Sequence, residues 1–346
     1  MARPTIKDIA KHAGVSFKTV SRVLNGYASV ADDLRERVQK SMHELDYRPN
    51  QAARQMRGKK AYNIALFPAF RDQVSELQTS RRMPTYVADV ITGLIQACQA
   101  AHFHLFVEPA PAVEGPTGRQ NFCSLLDNLR VDGVILIPPI CDDEWIIEQL
   151  IARDILVGRL NPGTMLDRGF CTVIDNRTAA REVVDLLVAK GHSHIAYIKG
   201  PESHRAVGDR LGGVLDGAAA HNLRIDLRQG DFLFDSGRSA TLDLLRLATP
   251  PTAIFAANDE MAAGALAAAL ELGVKVPDAL SIVGFGGLLV SEATWPRLTT
   301  VSQPTIEMAR SLGSQLIMAA GSPAAQAASL TVQPHRLVER QSVSSI

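Results

Sequence analysis

The side chains between Ser16 and Asn25 have the chemistry needed to recognise double-stranded DNA. Arg22 can donate two hydrogen bonds to O6 and N7 of a guanine, Lys18 can donate to the same edge, and Phe17 can contact a thymine methyl group. Short polar side chains suit phosphate oxygens, which position a protein on the duplex without reading its sequence. Those of this segment are Ser16, Thr19, Ser21 and Asn25. The alternative, a small helical bundle with no role on DNA, gives no folding reason for an exposed phenylalanine beside two cations.

Three short helices are predicted for the first 48 residues, because apolar residues recur there at helical spacing. Thr5 is placed to cap the first helix, Gly14 to end it in the left-handed conformation, and Ser16 to cap the second. The third helix begins near Asp32 and ends before Pro49. The predicted apolar faces are Ile6, Ile9, Ala10 and Ala13, then Val20, Val23 and Leu24, then Leu34, Val38, Met42 and Leu45. Two helices joined by a three-residue turn form a helix-turn-helix, whose second helix enters the major groove.

The charge of the chain is uneven although its formal sum is zero. Residues 1–60 contain thirteen Lys and Arg against six Asp and Glu, so they carry +7, and the remainder, with 23 basic and 30 acidic residues, carries −7. A basic head on an acidic body favours a head that binds a polyanion. The alternative is a solvated tail, which would be low in sequence complexity, and this segment is not.

Composition excludes several classes of protein. With 46% apolar and 21% charged residues, most of the chain is expected to fold around a core rather than stay disordered. No apolar run approaches the ~18 residues of a membrane helix and the N-terminus is polar, so a cytoplasmic location without membrane contact is expected. The four cysteines stand 18 to 30 residues apart, which argues against a disulfide framework and against a zinc site. No metal or cofactor is predicted.

The first sixty residues resemble the DNA-binding region of the lactose-repressor/galactose-repressor family over a long and nearly gapless stretch. The resemblance runs from Pro-Thr-Ile-Lys-Asp-Ile-Ala-Lys-His-Ala-Gly-Val-Ser-Phe-Lys-Thr-Val-Ser-Arg-Val-Leu-Asn-Gly to Tyr-Arg-Pro-Asn-Gln-Ala-Ala-Arg-Gln-Met-Arg. It implies a homodimeric transcription regulator, a repressor, that binds a pseudo-palindromic operator. It also implies that a small effector, commonly a sugar, switches the operator affinity from a body built like a periplasmic binding protein.

A hinge helix is implied for residues 50–57. Two helical turns are too short to be stable alone, since isolated helices below ~12 residues are marginal in water. The resemblance implies that this helix pairs across the dimer and inserts an apolar wedge into the minor groove, at a position that Met56 occupies here, with Ala53 on the same face. The alternative is a plain linker. The predicted DNA-binding set is Thr5, Ser16, Phe17, Lys18, Thr19, Ser21, Arg22, Asn25, Asn50, Ala53 and Met56.

Apolar strands alternate with helices along the rest of the chain, which predicts parallel sheets with helices on both faces. Nine strands over ~280 residues exceed one ordinary sheet, so two similar α/β lobes are expected. The family resemblance implies that they are Rossmann-like lobes of the periplasmic-binding-protein type I. The predicted strands are Ile64–Phe67, Phe103–Val107, Gly133–Ile137, Ile155–Val157, Cys171–Ile174, Ile195–Ile198, Phe232–Phe234, Ala253–Ala256 and Ser281–Val283. The predicted domains are a helix-turn-helix domain at 1–48, a hinge helix and linker at 49–60, and a two-lobed effector-binding and dimerisation domain at 61–346.

Candidates for effector contacts stand where predicted strands end, because ligands of such folds bind outside the carboxyl ends of strands. Asn258 and Asp259 follow a buried strand and suit a polyol, although Asp259 could instead cap the next helix. Arg210 matches a family arginine of a cleft-facing helix and could bind hydroxyls or a carboxylate; the alternative is a surface arginine. Asp175 also matches a cleft position, whereas Asn176 would order the loop.

Three further residues complete the predicted effector site, and one departure from the family affects it. Arg159 and Phe232 are included on similar grounds, and Trp295 could stack on a sugar face, although a packed or interface tryptophan is the alternative. After Ser-Ile-Val-Gly-Phe the family presents an acidic pair whose carboxylate binds the sugar, but this chain has Gly286-Gly287. The identity of the effector is therefore open: a larger or less hydroxyl-dependent ligand, or a site formed by other side chains, is compatible with this change.

An enzyme is the main alternative function, together with a solute-binding protein that carries an accessory basic head. Leu289 stands where the third glycine of a dinucleotide fingerprint would be, and neither a phosphate loop nor a nucleophile elbow is present. The close histidine pairs, His102 with His104 and His192 with His194, have no cysteine or carboxylate partners nearby to complete a metal site. The residues therefore favour an effector-controlled repressor, and the absence of a C-terminal leucine heptad gives no sign of a tetramer.

Overall fold

The computed structural model describes residues 4–24, 30–47, 60–68, 84–109, 113–321 and 327–346. Backbone contacts divide the chain into two units, residues 1–62 and 63–346, here called the head and the body. The predicted contacts Asn25, Asn50, Ala53 and Met56 lie outside the described residues, together with the implied hinge helix. Within the described ranges, no helix is both long enough and apolar enough to cross a membrane.

The head consists of three helices, α1 (Ile6–Ala13), α2 (Phe17–Leu24) and α3 (Asp32–Glu44). Its core is formed by the buried side chains of Ile9, Ala10, Ala13, Val20 and Val38, against which Ile6, Val23, Leu24, Met42 and Leu45 pack. These positions confirm the predicted helical faces with one exception. Leu34 is only half-buried, whereas Ser41 lies inside, where its hydroxyl pairs with His12 Nδ1 at 3.1 Å.

The turn between α1 and α2 is fixed by the third helix. Gly14 has a φ of 62°, which confirms the predicted left-handed end of α1. Arg37 of α3 donates from Nη2 to Ala13 O at 2.7 Å and to Gly14 O at 3.1 Å. A Cβ at position 14 would lie 2.8 Å from Nη2 of this guanidinium, so the end of the Arg37 side chain would have to shift. The angle between the first two helices is therefore set by an arginine thirteen residues beyond the end of α2, counted from Leu24 to Arg37.

The body contains two six-stranded sheets, called the first and the second lobe, and its strands are numbered along the chain. In spatial order, the first-lobe strands are β11 (Ser329–Gln333), β5 (Phe170–Ile174), β4 (Leu156–Leu160), β3 (Gly133–Leu136), β1 (Asn63–Phe67) and β2 (His104–Val107). The second-lobe strands are β12 (Arg336–Val338), β10 (Thr299–Ser302), β9 (Ser281–Gly286), β8 (Ala253–Ala256), β6 (His194–Lys199) and β7 (Arg224–Gln229). Only the β10–β12 pair is antiparallel among these strands.

Helices cover both sheets, as expected for parallel strands. Those of the first lobe are α4 (Thr85–Ala101), α5 (Gly115–Asn128), α6 (Glu144–Ile151) and α12 (Thr305–Gly321). Those of the second lobe are α7 (Asn176–Ala189), α8 (Arg205–His221), α9 (Phe234–Leu245), α10 (Asp259–Glu271) and α11 (Leu289–Ala293). The strands β1, β3 and β8 are buried along their whole length, which explains why they are apolar except for Asn63 at the start of β1.

The chain crosses between the lobes three times, after β5, after β10 and after β11. The first crossing contains Asp175, the second Gln303 and Pro304, and the third Pro334 and His335. Because β5 and β10 end at these crossings, polar residues that follow them lie where the lobes meet. Of the predicted effector contacts, Asp175 lies at such a crossing.

One predicted strand, Phe232–Phe234, is wrong. Phe232 has a φ of 73°, which a strand does not adopt, and α9 begins at Phe234. The strand of this region is β7, which lies earlier in the chain and forms the exposed edge of the second-lobe sheet. An edge strand keeps one side in water and needs few apolar residues, so the apolar content of the sequence pointed to the wrong segment. The strands β10, β11 and β12 were not predicted.

Candidate nucleic-acid interface and interlobe cleft

The outer face of α2 presents the side chains predicted to read bases. Phe17 is 40% exposed, and Lys18 and Arg22 are also exposed. Lys18 and Arg22 stand four residues apart, so they share one face of the helix. The neighbouring Val20 is fully buried and fixes the opposite face on the core of the head. The arrangement can therefore present one aromatic and two cationic side chains to a groove at the same time.

Hydroxyl groups mark the beginnings of α1 and α2. Ser16 Oγ accepts a hydrogen bond from Thr19 N at 3.0 Å and lies 2.9 Å from Thr19 Oγ1, which confirms Ser16 as the cap of α2. Thr5 donates to Asp8 Oδ2 from its backbone N at 2.8 Å and from Oγ1 at 2.7 Å. These two hydrogen bonds lower the pKa of Asp8. Thr5 is therefore the N-cap residue of α1, as predicted, and forms a capping box with Asp8.

Arg210, one of the residues predicted for the cleft between the lobes, lies inside the second lobe at the carboxyl ends of its strands. Its Nε donates to Asn176 Oδ1 and its Nη1 to Ala257 O, both at 2.8 Å. The guanidinium carbon lies 3.9 Å from the centre of the Phe285 ring, and the side chain is 7% exposed. Burial lowers the pKa of Arg210 to about 10. Asn176 is held in turn by donating to Ile174 O at 3.3 Å, so it orders the arginine as well as the loop.

Asn258 caps α10, a role that the sequence had offered to Asp259. Its Oδ1 accepts from Met261 N at 2.9 Å, and its Nδ2 donates to Phe232 O at 2.8 Å. The second bond holds the left-handed backbone of Phe232, whose ring packs edge-to-face on His204 with centres 5.1 Å apart. Asn258 and Phe232 thus form one wall, in which the amide is already hydrogen-bonded to the protein.

Asp259 is completely buried and braces the loop that follows β9. Thr300 Oγ1 donates to its Oδ1 at 2.5 Å, and Leu288 N donates to its Oδ2 at 2.7 Å. Burial raises the pKa of Asp259 to about 6. Both oxygens of this carboxylate therefore accept hydrogen bonds from residues of the second lobe, and neither is left for a polyol.

Gly286 and Gly287 lie in the same loop, whose backbone conformation favours glycine. Gly286 has a φ of 131° and Gly287 one of 70°, conformations that favour glycine. A Cβ on Gly286 would lie 3.4 Å from Asp259 Oδ2, so an acidic side chain there would begin beside an existing carboxylate. The backbone of this loop therefore favours glycine at the two positions where the family resemblance places an acidic pair.

Arg159 is 0% exposed and lies within a closed network of the first lobe. Its Nη2 donates to Asp142 Oδ1 at 3.0 Å and to Thr164 O at 2.7 Å. Its Nε donates to Cys141 O at 2.6 Å and its Nη1 to Met165 O at 2.5 Å. Asp142 also accepts from Gly163 N and Thr164 N. Arg159 therefore fastens the loop after β4 to the end of β3.

Asp175 begins α7 at the first crossing, beside a cavity. Its Oδ1 accepts from Thr178 N at 2.9 Å and its Oδ2 from Thr178 Oγ1 at 2.7 Å, and these bonds lower its pKa. The cavity has a volume of about 260 Å³, near the lower end of the ~300–1,000 Å³ of small-molecule sites. Both lobes line it. The first lobe contributes Pro162, Gly163, Leu166, Val173 and Ile174, and the polar side chains Asp175, Asn176, Arg177 and Asp209 come from the first crossing and the second lobe.

Polar residues that the sequence analysis missed also lie between the lobes. Asn161 Nδ2 donates to the hydroxyl of Tyr86 at 3.3 Å and to Gln303 Oε1 at 3.4 Å. Among the described residues, Asn161 Oδ1 and the hydroxyl of Tyr197 are buried without a hydrogen-bond partner. Asn161 and Gln303 follow the ends of β4 and β10, so the strand-end rule that found Asn258 would also have found them. Tyr86, on α4, had no such signal.

Trp295 is 83% exposed on the second lobe. Leu289, at the start of the nearby helix α11, is 71% exposed, and Leu270 near the end of α10 is 80% exposed. Trp295 therefore packs in no core. Exposed apolar side chains of this size are typical of surfaces that contact another protein.

Two protein-family models match the chain. Residues 5–50 match the model of bacterial regulatory proteins of the lacI family, and residues 184–343 match a periplasmic binding protein-like domain. A curated relative, the "Probable HTH-type transcriptional repressor ExuR" of Bacillus subtilis strain 168, is 32% identical over 318 residues, which are 91% of this chain and 90% of that protein.

Solved structures share the same architecture. The lac repressor dimer bound to operator and the anti-inducer ONPF is 27% identical, with a TM-score of 0.75 over 99% of this chain and 100% of that one. A complex of the transcriptional regulator CelR with cellobiose is 28% identical, with a TM-score of 0.72 over 98% of this chain and 100% of that one. The similarity thus includes both the head and the two-lobed body.

Proposed function

The chain belongs to the lacI family of bacterial regulatory proteins and is a DNA-binding transcriptional repressor rather than an enzyme, and from that premise we propose that a small molecule bound between its lobes controls its affinity for an operator. The observation that carries this proposal is the buried cation of Arg210, which lies at the carboxyl ends of the second-lobe strands and is only partly hydrogen-bonded by the described residues. Carboxyl ends of parallel strands are where α/β proteins bind their ligands.

On the operator, we assign base reading to the exposed face of α2. Arg22 and Lys18 donate to guanine edges, and Phe17 contacts a thymine methyl group. Phosphate contacts are assigned to Thr5, Ser16, Thr19, Ser21 and Asn25, and minor-groove contacts to Asn50, Ala53 and Met56. The hydroxyls of Thr5 and Ser16 mark the first turns of α1 and α2, where backbone N–H groups and the helix dipole favour a phosphate.

In the cleft, we assign direct contact with a carbohydrate-like effector to Arg210, with Asp175 on the wall of the cavity. Asn258 and Phe232 form one wall, whereas Asp259 and Arg159 position the loops on either side. The cellobiose bound by the similar regulator CelR supports a saccharide. Asn161, Gln303 and Tyr86 add amide and hydroxyl groups that suit ring hydroxyls.

Control of the operator then follows from the three crossings between the lobes. Effector binding changes the closure of the lobes, shifts the first lobes of the dimer against each other, and releases the hinge helices from the minor groove. The effector can do this only through its different affinity for the two states, typically ~1–3 kcal/mol of coupling. The repressor acts on chromosomal DNA in the cytoplasm.

A homodimer supplies the second head that a pseudo-palindromic operator requires. The similar lac repressor is a dimer in its operator complex. A two-fold contact uses the same surface on both subunits, and the exposed Trp295 and Leu289 suit such a contact better than the stacking of a sugar. We therefore assign Trp295 to the dimer surface.

The proposal is tested by selecting operators from random duplexes and measuring Kd by fluorescence anisotropy. We expect a salt-sensitive preference for one sequence, and Arg22→Ala should cost about 1–3 kcal/mol at one base pair of each half-site. Lys11→Ala is the matched control, because Lys11 is an exposed cation on α1 outside the assigned contacts. The DNA assignment fails if the wild type prefers no duplex over random competitor, or if Arg22→Ala selects the same operator with unchanged stringency.

A further inference from the structure

We propose that the effector is an anion of saccharide size, whose carboxylate or phosphate group pairs with Arg210. This inference rests on the proposed function, because it names the class of ligand that the same cleft takes. The charges and hydrogen bonds around Arg210 support it.

The guanidinium of Arg210 has no carboxylate partner among the described residues. Its two protein acceptors, Asn176 Oδ1 and Ala257 O, are both neutral. The pKa of Arg210 is lowered to about 10, so the group stays charged near neutral pH although it is almost fully buried. A buried cation without a counter-ion costs free energy, and an anionic ligand would recover that cost.

The first lobe contains a buried arginine, Arg159, whose charge is balanced by a carboxylate of the protein itself. Arg159 lies 3.0 Å from the carboxylate of Asp142, and its remaining donors reach backbone carbonyls. A counter-ion is therefore built into the chain at one buried arginine and missing at the other.

Carboxylates near Arg210 are used elsewhere or form no ion pair with it. Asp259 accepts from Thr300 and Leu288, and Asp175 accepts twice from Thr178. Asp209 lines the cavity, and its charge and that of Asp259 act on Arg210 from a distance. Within the described part of the chain, neither carboxylate forms an ion pair with Arg210. At the end of β9, the glycine pair removes the position from which another acid could reach the cleft.

A second buried donor of the second lobe, on β6, favours the same class of ligand. The hydroxyl of Tyr197 has no hydrogen-bond partner among the described residues, and it interacts electrostatically with Arg210. Burial raises the pKa of Tyr197, so the group keeps its proton and can donate it. A guanidinium and a phenolic donor together suit the oxygens of a carboxylate or a phosphate.

The positive charge of Arg210 also acts on His204, which precedes the same helix, α8. Burial and the charge of Arg210 together lower the pKa of His204 to about 4. His204 is therefore neutral near pH 7 and packs as an aromatic ring against Phe232. His204 thus adds no second positive charge beside Arg210.

The test measures binding of matched neutral and acidic sugars to the full-length protein by isothermal titration calorimetry. The probes are D-galactose, D-galacturonate and D-galactose 6-phosphate, with the corresponding gluco series. We expect at least one acid to bind tenfold or more tightly than its neutral counterpart, and the two kinds of acid distinguish a carboxylate ligand from a phosphate ligand. Arg210→Gln should bring the acid and its neutral counterpart within about twofold.

The proposal is overturned if no acid in these series binds, if a neutral sugar binds as tightly as its acids, or if the preference survives Arg210→Gln. Operator affinity, measured with the same probes, separates this failure from failure of the proposed function. If a neutral sugar changes the operator affinity, control by an effector stands and the charge inference alone is lost.

A second measurement needs no ligand. Because Arg210 is buried without a counter-ion, Arg210→Gln should leave the melting temperature of the ligand-free protein within about 2 °C of the wild type or raise it. Arg159→Gln is the comparison and should lower it by about 6 °C or more, since Asp142 would lose its cation. An equal fall in both variants would make Arg210 a structural residue and overturn the proposal.

Discussion

Both lobes contain a six-stranded sheet, but they differ in how the buried arginine near the carboxyl ends of the strands is paired. In the first lobe, Asp142 and backbone carbonyls enclose the guanidinium of Arg159. In the second lobe, the guanidinium of Arg210 meets only neutral oxygens, and Asp259 directs its carboxylate to its own loop. A buried ionic group whose partners are all supplied by the protein stabilises the fold, whereas one left incomplete is available to a ligand.

The largest expected effect lies in the closed network. Asp142→Asn should lower the free energy of unfolding by about 3–5 kcal/mol, because it leaves Arg159 buried without a counter-ion. Urea denaturation followed by circular dichroism measures the loss. Asp127→Asn is the control, since it breaks the pair with Arg153 at the surface, where such a pair contributes ~0–1 kcal/mol. Equal losses would mean that the first lobe does not depend on its buried pair.

The ionisation of Asp259 should make the stability of the second lobe depend on pH. Burial raises its pKa to about 6 from an ordinary value of 3.8, so its contribution to stability is fully present below 3.8 and is lost as the pH rises through about 6. Asp259→Asn should remove this loss. The free energy of unfolding of the variant, relative to the wild type, should therefore increase by up to about 3 kcal/mol between pH 4 and pH 7.

Asp175→Asn provides the opposite sign in the same titration. Hydrogen bonds from Thr178 lower the pKa of Asp175, so its contribution is present above the ordinary value and is lost as the pH falls through the lowered one. Denaturation midpoints across the pH range measure both variants. A flat difference for Asp259→Asn would show that its carboxylate is no harder to ionise in the fold than in the unfolded chain.

The smallest expected effect concerns the glycine loop of the second lobe. Gly287→Ala should cost about 1–2 kcal/mol from its left-handed backbone, and more from contact, because the new Cβ would lie 2.7 Å from Ser302 Oγ. Gly273→Ala is the control: its φ is 68°, nearly the same, and its surroundings are open. Thermal denaturation should rank Gly287→Ala below Gly273→Ala. Identical costs would mean that the loop yields and that space does not explain the glycine pair.

Local signals in the sequence were enough to predict the head. Gly14 and Ser16 are punctuation residues whose conformational preferences act within a few positions, and the structure confirms both roles. The apolar spacing likewise predicted the core around Val20 and Val38. Arg37, which holds the turn from the third helix, was not foreseen, because its contact joins residues far apart in the chain.

The cleft was predicted less completely because its residues acquire their roles from partners distant in sequence. Asn258 and Asp259 are adjacent and both can cap a helix, so only the contacts of Asp259 with Thr300 and Leu288 distinguish them. The enclosure of Arg159 depends on a loop that returns over it from residues 161–168. Apolar periodicity contains no information about such a return.

The three crossings also have a consequence for synthesis on the ribosome. The edge strand β11 of the first lobe is made only after nearly all of the second lobe, whose own last strand, β12, follows it. Until then the nascent first lobe exposes the unpaired edge of β5, a surface prone to wrong pairing. Both lobes are therefore completed almost together, once β11 and β12 have been made, and the ligand cleft between them forms late in the synthesis of the body.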